Sequence, residues 1–463
     1  MMRFVPGLRG LILAAVAAVL TTAGAVYVLT QPADGVRKIT GTTAAAPGLA
    51  WSVAATALGE GGLEFRDPVA GTEFDVGGPG FIDAGDTLVT VTGVANGDMA
   101  LRDPVLVGID AGSGAVRWRA PAMGLRGCAA TPVDSRIVCY ANASETSELV
   151  GYDIGSGKVT RTPTPWLVFA LAATGARVYV AEGDVESDDV RVHAGTFADP
   201  QAYWSRDFAM GTAWEDLSSD ALTVTDGQGV FALGAGLAGF DLDSGAPTWT
   251  AELNGCSRAS GLRGAVVERV HTECAGYRVT GSDLLDRTGR VIATTDHAAT
   301  QPLSIDSPAD DTVPVLLADS ARDRRTGAVV WTNPDLVTAP RATDTGNTTT
   351  GTAIAVTGEA ALLRDDQAHT MTGLNMRTGH RLWQVRAERY GTPAAWDGEV
   401  VVLSDATGLW AVDPKTGATV WDIPFTAVDA TPEALSDGGQ LRARTAGNFL
   451  YASARTLIAL RPL

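Results

Sequence analysis

The chain has 463 residues, of which 45% are hydrophobic and only 19% are charged, and it contains 53 glycines. This composition is typical of many short strands joined by tight turns, in one large repeat fold or about three ordinary domains. The formal net charge of −18 at pH 7 repels phosphate backbones and anionic lipids. We therefore expect neither nucleic-acid binding nor membrane docking through a basic patch.

The N-terminal segment is the most apolar part of the chain. Residues 10–30 carry no charge and follow Arg3 and Arg9. About 20 helical residues rising ~1.5 Å each span about 30 Å, the thickness of a bilayer core. With the arginines on the cytoplasmic side, we predict a stub at 1–9, a transmembrane anchor at 10–30, a flexible tether at 31–47 and an extracytoplasmic body at 48–463.

A cleaved signal peptide is the alternative for the same segment. The small residues Ala23 and Ala25 offer a cleavage site, and cleavage would leave a secreted body. No cysteine lies directly after the apolar run, so we do not expect a lipid-attached anchor. The favoured location is the cell membrane, with a single pass and the body outside.

All four cysteines lie in the predicted extracytoplasmic body, namely Cys128, Cys139, Cys256 and Cys274. An even count in an oxidising compartment predicts disulfides, and three pairings are possible. We favour Cys128 with Cys139 and Cys256 with Cys274, because each pair follows a copy of the repeat described next and would bridge adjacent strands of one unit. The alternative is four free buried thiols.

One short phrase recurs along the body at intervals of roughly 38 to 52 residues, a period typical of a stack or ring of equal units. In its full form it contains Asp or Asn, then Gly four positions on, and Trp four positions later. The full copies are Asp110/Gly114/Trp118, Asp241/Gly245/Trp249, Asp323/Gly327/Trp331, Asn375/Gly379/Trp383 and Asp413/Gly417/Trp421. Degenerate copies are Asp153/Gly157, which lacks the Trp, and the shorter Asp286/Gly289.

Each position of the phrase has a physical role. The Asp or Asn side chain can accept hydrogen bonds from backbone amides two or three residues on, and Gly can take the positive φ of a tight hairpin. The Trp can cover the face of the neighbouring sheet while its N–H finds an acceptor. The phrase therefore predicts antiparallel units of three or four strands, each of which must bury its faces against its neighbours.

The D-x-x-[ST]-G-x-x-x-W phrase resembles the repeat of pyrroloquinoline-quinone-type β-propellers, and the resemblance spans about residues 48–463. It implies an all-β propeller, and we expect eight four-stranded blades, the number usual for that family. An irregular segment within 52–80 or 162–204 would then account for the ninth repeat mark. The strand at Trp51 and those at 449–452 and 457–460 would complete one blade from both termini and close the ring.

Enzymes of the resembled family typically have adjacent cysteines, a tryptophan beneath the quinone and calcium ligands. This chain has no such cysteine pair and no C-x-x-C-H haem-attachment motif, so we expect no enzymatic activity and no cofactor. No two histidines have metal-ligand spacing; they are His193, His271, His297, His369 and His380. The acidic stretches 182–189 and 306–311 match no complete calcium loop and are interpreted as solvated loops.

These patterns favour a non-enzymatic, membrane-anchored scaffold or ligand-binding module, a monomer with an envelope protein as its partner. The alternative is a quinone-dependent dehydrogenase or small-ligand sensor that uses the central funnel. Four tryptophans outside the phrase, which can anchor a partner or fill the core, are Trp166, Trp214, Trp396 and Trp410. The resembled family includes envelope lipoproteins that hold partners in outer-membrane assembly, a role that we do not expect to transfer without a lipid-attachment cysteine.

Overall fold

The computed structural model describes residues 35–59, 61–72, 77–95, 101–143, 146–183, 189–209, 221–225, 227–233, 236–253, 257–262, 266–275, 278–296, 299–338, 350–436, 438–445 and 447–463. The predicted stub and anchor lie outside these ranges. Within them, no helix is long and apolar enough to cross a bilayer.

The described strands are grouped into nine small sheets, the blades. The first strand, β1 (Gly48–Ala54), belongs to the last blade. Blade 1 contains β2 (Glu64–Arg66), β3 (Ile82–Asp83), β4 (Thr87–Ala95), β5 (Leu101–Asp110) and β6 (Val116–Pro121). Blade 2 contains β7 (Leu125–Cys128), β8 (Arg136–Ala143), β9 (Thr146–Asp153) and β10 (Val159–Thr164). Blade 3 contains β11 (Val168–Thr174), β12 (Arg177–Gly183), β13 (Asp189–Gly195) and β14 (Trp204–Ala209).

Blade 4 contains β15 (Leu222–Thr225), β16 (Gln228–Leu233), β17 (Gly236–Asp241) and β18 (Pro247–Glu252). Blade 5 contains β19 (Arg258–Leu262), β20 (Val266–Glu273), β21 (Arg278–Leu285) and β22 (Val291–Thr295). After β23 (Ile305–Pro308), blade 6 contains β24 (Val315–Leu317), β25 (Ser320–Arg322) and β26 (Val329–Thr332). Blade 7 contains β27 (Ala353–Gly358), β28 (Ala360–Asp365), β29 (Thr370–Asn375) and β30 (Arg381–Arg386).

Blade 8 contains β31 (Thr392–Trp396), β32 (Val401–Asp405), β33 (Gly408–Val412) and β34 (Thr419–Pro424). Blade 9 contains β35 (Gln440–Thr445), β36 (Asn448–Ala452), β37 (Thr456–Arg461) and β1. The only described α-helix is the single turn α1 (Phe425–Val428), and 3₁₀ turns lie at Ala55–Ala57, Pro68–Ala70, Pro334–Leu336 and Pro432–Ala434. The first strands of blades 2 and 3, 3 and 4, 7 and 8, and 8 and 9 contact one another, which places the first strands near the axis and the last strands at the outer rim.

The all-β propeller is as predicted, but the expected eight blades are wrong because the structure has nine. The suspected segments 52–80 and 162–204 contribute to ordinary blades. The irregularity is at β23, which pairs in parallel with β27 of blade 7 and leaves blade 6 with three strands. Seven of the nine blades have a copy of the repeat turn. The other two are blade 3, which has no such turn, and blade 9, whose strands come from both ends of the body. The family norm of eight was therefore a poorer guide than the repeat marks.

The predicted closure of the ring by its two termini is confirmed. Strand β1 pairs antiparallel with β37, with Trp51 opposite Ala459 and Val53 opposite Leu457. Blade 9 thus draws its outermost strand from one end of the body and its other three from the opposite end. This arrangement ties the first and last blades together through a complete backbone ladder.

The apolar core is divided into nine clusters, one between each pair of consecutive blades. Each blade therefore buries its two faces against its two neighbours, as the repeat requires. The cluster between blades 8 and 9 also contains Ile39 and Ala46, which are 1% and 2% exposed. The described part of the predicted tether 31–47 thus packs against the propeller.

Candidate functional site

The repeat turn has the same geometry in six of its seven described copies. In blade 1, Asp110 accepts hydrogen bonds from the backbone N–H of Gly112 at 3.0 Å and of Ser113 at 2.7 Å. The N–H of Gly114, at φ +75°, donates to the carbonyl of Asp110 at 2.8 Å. Hydrogen bonds from Arg117 and Ser113 lower the pKa of Asp110 to about 2. In five other copies the N–H of the turn glycine donates to the carbonyl of the motif Asp or Asn at 2.8–2.9 Å. These glycines are Gly157, Gly245, Gly327, Gly379 and Gly417.

The motif tryptophans lock each blade to the next. Trp118 lies against Gly157 of blade 2, and a Cβ on that glycine would be 2.5 Å from the ring. The indole N–H of Trp118 donates to the carbonyl of Ile154, the residue after Asp153, at 2.7 Å. The same pairing, always with the residue after the turn Asp or Asn, occurs from Trp51 to Ala111, Trp204 to Leu242, Trp331 to Met376 and Trp383 to Pro414. These residues therefore hold the ring together.

One copy of this joint lacks the turn motif, and a second feature of the joint was not predicted from the sequence. Trp204 has the full joint although no turn motif precedes it. A glycine two residues before the Asp or Asn also lies under the same blade's Trp, as Gly108 does under Trp118, where a Cβ would be 2.2 Å from the ring. The sequence does signal this contact, because a small residue recurs two positions before the motif Asp or Asn. These residues are Gly108, Gly151, Gly239, Ala321, Gly373 and Ala411.

Blade 5 departs from the pattern. Its turn is one residue shorter, and the N–H of Trp249 is buried without a hydrogen-bond partner among the described residues. The carbonyl of Arg287, which follows Asp286, instead accepts from the Gln228 side chain at 3.2 Å. Ala293 takes the position of the Trp in blade 5, opposite Leu284, and the backbone of Ile292 lies against Gly327 of blade 6.

The structure joins Cys128 to Cys139 in a disulfide between β7 and β8, where the two residues are directly opposite each other. Cys274 is also disulfide-bonded, and its predicted partner Cys256 lies outside the described residues. Cys274 follows the end of β20, whereas Cys139 is in the middle of β8. The pairing of Cys256 with Cys274 stays a prediction.

The most deeply buried of the described histidines is part of a network within blade 3. His193 is 1% exposed, its Nδ1 lies 2.7 Å from Ser205 Oγ and its Nε2 lies 3.0 Å from Glu182 Oε1. Trp166 stacks on the imidazole with ring centroids 3.8 Å apart. Serine, histidine and carboxylate are thus in relay order, but the imidazole is enclosed by its own sheet and by Trp166. The arrangement braces the blade and gives a substrate no access to the imidazole.

Other titratable groups also pair locally. His271 Nε2 lies 2.8 Å from Asp283 Oδ2, and Arg269 pairs with the same carboxylate. Within the described ranges, no group of three or more His, Cys, Asp or Glu side chains could hold a metal ion. His297 and residues 184–188 of one acidic stretch lie outside the described residues, as does Trp214.

The groove between blades 7 and 8, which we call the 7/8 groove, is the strongest candidate site. It has a volume of about 330 Å³, opens at the outer rim, and is lined in part by Met371, Trp383, Val385, Trp410, Val412 and Thr419. Val385 is 41% exposed, whereas Ala120 and Ile423, which occupy the same offset from Trp in blades 1 and 8, are 4% and 0% exposed. An apolar position that these blades bury is therefore open to solvent in the 7/8 groove.

One wall of the 7/8 groove is fixed by Arg389. Its guanidinium donates to Asp405 at 2.8 and 3.1 Å and to Asp422 at 2.9 Å, and it lies 4.0 Å from the centre of the Trp410 ring. Burial alone would raise the pKa of Asp405, but the bonds from Arg389 and Thr407 outweigh it and lower the pKa to about 2. The wall therefore presents an immobilised guanidinium that is backed by the buried indole of Trp410, which is 6% exposed; such a fixed cation is suited to contact with a partner. Of the other tryptophans outside the repeat, Trp396 is half-buried in β31.

A protein-family model described as "Outer membrane protein assembly factor BamB" matches residues 77–276 and 317–457. These two stretches make up well over half of the chain. No curated protein matches it.

Three solved structures are similar to the chain. BamB from Moraxella catarrhalis is 12% identical, with a TM-score of 0.41 over 82% of this chain and 93% of that one. A europium-containing methanol dehydrogenase is 11% identical, with a TM-score of 0.39 over 81% and 80%. The dihydro-heme d1 dehydrogenase NirN is 13% identical, with a TM-score of 0.40 over 78% and 72%. With every TM-score below 0.5, these similarities assign no activity to this chain.

Proposed function

We propose that this chain, which belongs to the family of the outer membrane protein assembly factor BamB, is a non-enzymatic scaffold that binds a protein partner through the 7/8 groove. The observation that carries this proposal is the 41% exposure of Val385 at an offset where blades 1 and 8 bury the side chain. An exposed apolar position beside two indoles is a typical anchor site for a protein partner.

A scaffold role is further supported by the way the polar groups are used. The motif Asp and Asn side chains hold their own turns, while His193 and His271 pair within their own blades. The large indoles of the repeat close the joints between blades. At the 7/8 groove, by contrast, the exposed side chain of Val385 lies beside the guanidinium of Arg389, a combination that suits contact with another chain.

We further propose that the propeller lies on the extracytoplasmic side of the cell membrane, held by the apolar segment 10–30. The Cys128–Cys139 disulfide supports an oxidising compartment. The partner is then an envelope protein. The family's name alone supports no outer-membrane assembly role for this chain.

Site-specific photo-crosslinking in intact membranes tests the scaffold proposal. A photoreactive amino acid replaces Val385 in one variant and Val116 in the control. Val116 is also in an outermost strand and is 38% exposed. We expect a discrete crosslinked protein from position 385 and none from position 116. No crosslink at position 385, or the same crosslinks at both, would refute a partner site in the 7/8 groove.

A further inference from the structure

The groove between blades 8 and 9, the 8/9 groove, already holds an extended segment of the chain itself. Arg37 pairs with Leu49 on the outer edge of β1, with N–H···O distances of 2.8 Å in both directions. Two residues further on, Ile39 enters the apolar cluster between the blades and is 1% exposed. The segment thus adds one strand position to the rim and fills the groove with one aliphatic side chain.

The strand registers show that the 7/8 and 8/9 grooves are equivalent. Trp383 and Trp421 oppose Gly373 and Ala411 of their own blades, and Val385 and Ile423 follow two residues later. The same counting relates six positions of the 7/8 groove to six of the 8/9 groove: Trp383 to Trp421, Val385 to Ile423, Met371 to Leu409, Trp410 to Ile458, Val412 to Leu460 and Thr419 to Leu49.

All six equivalents in the 8/9 groove belong to the cluster that surrounds Ile39. They are at most 7% exposed. In the 7/8 groove the blades alone bury Met371, Trp410 and Val412, which are 6%, 6% and 4% exposed, so the two grooves differ at the positions nearest the segment. In the 7/8 groove, Val385 is 41% exposed and Thr419, at the position of Leu49, is exposed. No described residue pairs with the outer edge of β34. Among the described residues, the 7/8 groove is therefore an equivalent site with no segment placed in it.

We infer that the 7/8 groove receives an extended segment of the partner protein, which pairs with the outer edge of β34 at Thr419. An aliphatic side chain two residues further along the segment takes the place that Ile39 takes in the 8/9 groove. This inference rests on the proposed scaffold function and specifies the kind of partner. Strand addition of this type draws affinity from backbone hydrogen bonds and specificity from a side-chain pocket.

A feature of the groove wall supports an incoming hydrogen-bond donor. Oδ1 of Asp422 is shielded from solvent and has no hydrogen-bond partner among the described residues. Its other oxygen, Oδ2, accepts from Arg389 at 2.9 Å. Asp422 belongs to β34, the strand whose outer edge the segment would pair with, and it lines the 7/8 groove. A backbone N–H of the docked segment would satisfy it.

A peptide with the sequence of residues 35–43, GVRKITGTT, is the direct probe because it already fits the equivalent groove. It is labelled and titrated by fluorescence anisotropy into the full-length chain in detergent. We expect saturable binding that is at least tenfold weaker for the same peptide carrying Ile39→Asn, which keeps the charge. We also expect a loss of at least tenfold for the protein variant Val385→Asp.

The backbone contact is tested separately at Thr419. Thr419→Pro removes the N–H that corresponds to the Leu49 donor, and proline is tolerated where that N–H faces away from the sheet. Thr419→Ala keeps the N–H and should bind normally, whereas Thr419→Pro should bind at least tenfold less tightly. Circular dichroism confirms that each variant is folded. If Thr419→Pro does not fold, Val385→Asp and the Ile39→Asn peptide still decide the result.

The outcomes separate the two proposals. Peptide binding that is unaffected by Val385→Asp, or no binding at all, overturns strand addition, and the scaffold proposal stands if position 385 still crosslinks to a protein. A dimer of the chain in light scattering that Val385→Asp dissociates would make a second copy the occupant and overturn a separate partner.

Discussion

The indole of Trp118 lies against Gly157 of the next blade, and its N–H donates to the carbonyl of Ile154 at 2.7 Å. The contact joins two blades that share no backbone ladder between their sheets. It combines a close packing contact with one buried hydrogen bond, and it recurs around the ring. The stability of the propeller should therefore respond strongly to changes at this joint.

Gly157→Ala should be more destabilising than an alanine at an ordinary left-handed glycine. Gly157 has φ +68°, and a Cβ would be 2.5 Å from the Trp118 ring. Gly175 is the matched control, because it has φ +59° but a Cβ there would meet nothing within 4 Å. We expect a loss of about 1–2 kcal/mol for Gly175→Ala and a further 1–3 kcal/mol, roughly, for Gly157→Ala. Equal losses in urea unfolding would show that the joint tolerates a Cβ.

Trp118→Phe and Trp249→Phe should differ although both replace a motif tryptophan. Trp118 donates to Ile154, whereas the N–H of Trp249 is buried without a described partner. Both variants lose a similar ring area, but only the first leaves an acceptor unsatisfied. We therefore expect Trp118→Phe to lose about 1–2 kcal/mol more than Trp249→Phe. Thermal unfolding of the two variants measures this difference, and a larger loss at Trp249 would contradict the assignment.

The Arg389–Asp405 pair should make part of the stability sensitive to acid. The pKa of Asp405 is lowered to about 2, so the folded state binds this proton less readily than the unfolded state. The corresponding stability is present above about pH 4 and is lost as the pH falls towards 2. Asp405→Asn should flatten the decline in unfolding free energy over this interval. An unchanged profile would show that Asp405 does not contribute to it.

Ile39→Ala should release the N-terminal segment from the 8/9 groove without unfolding the ring. Ile39 is 1% exposed, and truncating such a residue typically costs about 2–4 kcal/mol. The N–H of Leu49 donates to Arg37, so its hydrogen exchange should accelerate in Ile39→Ala. Lys38→Ala alters the exposed neighbour and should leave that exchange unchanged. Equal exchange rates in both variants would mean that Ile39 does not hold the segment.

The repeat phrase was sufficient to predict a propeller because it acts locally. Asp, Gly and Trp at fixed offsets specify a turn and a large flat side chain, and their recurrence specifies equal units. Closure of the ring was also predictable, since Trp51 marks a last strand without its blade. The blade number was not predictable from the family norm, because blade 3 has no turn motif and β23 pairs with the following blade.

The candidate site was only partly visible in the sequence. Trp410 stood out because it lies outside the phrase, but Val385 looked like any other apolar residue of a strand. Its exposure depends on whether a distant segment covers the groove beside it, as Ile39 covers the 8/9 groove. Local spacing thus determined the turns, the indole joints and the ring. Only the tertiary structure decided which groove is filled. The filling residue and the groove are far apart in the chain, as Ile39 and blades 8 and 9 are, and no local sequence pattern specifies such a contact.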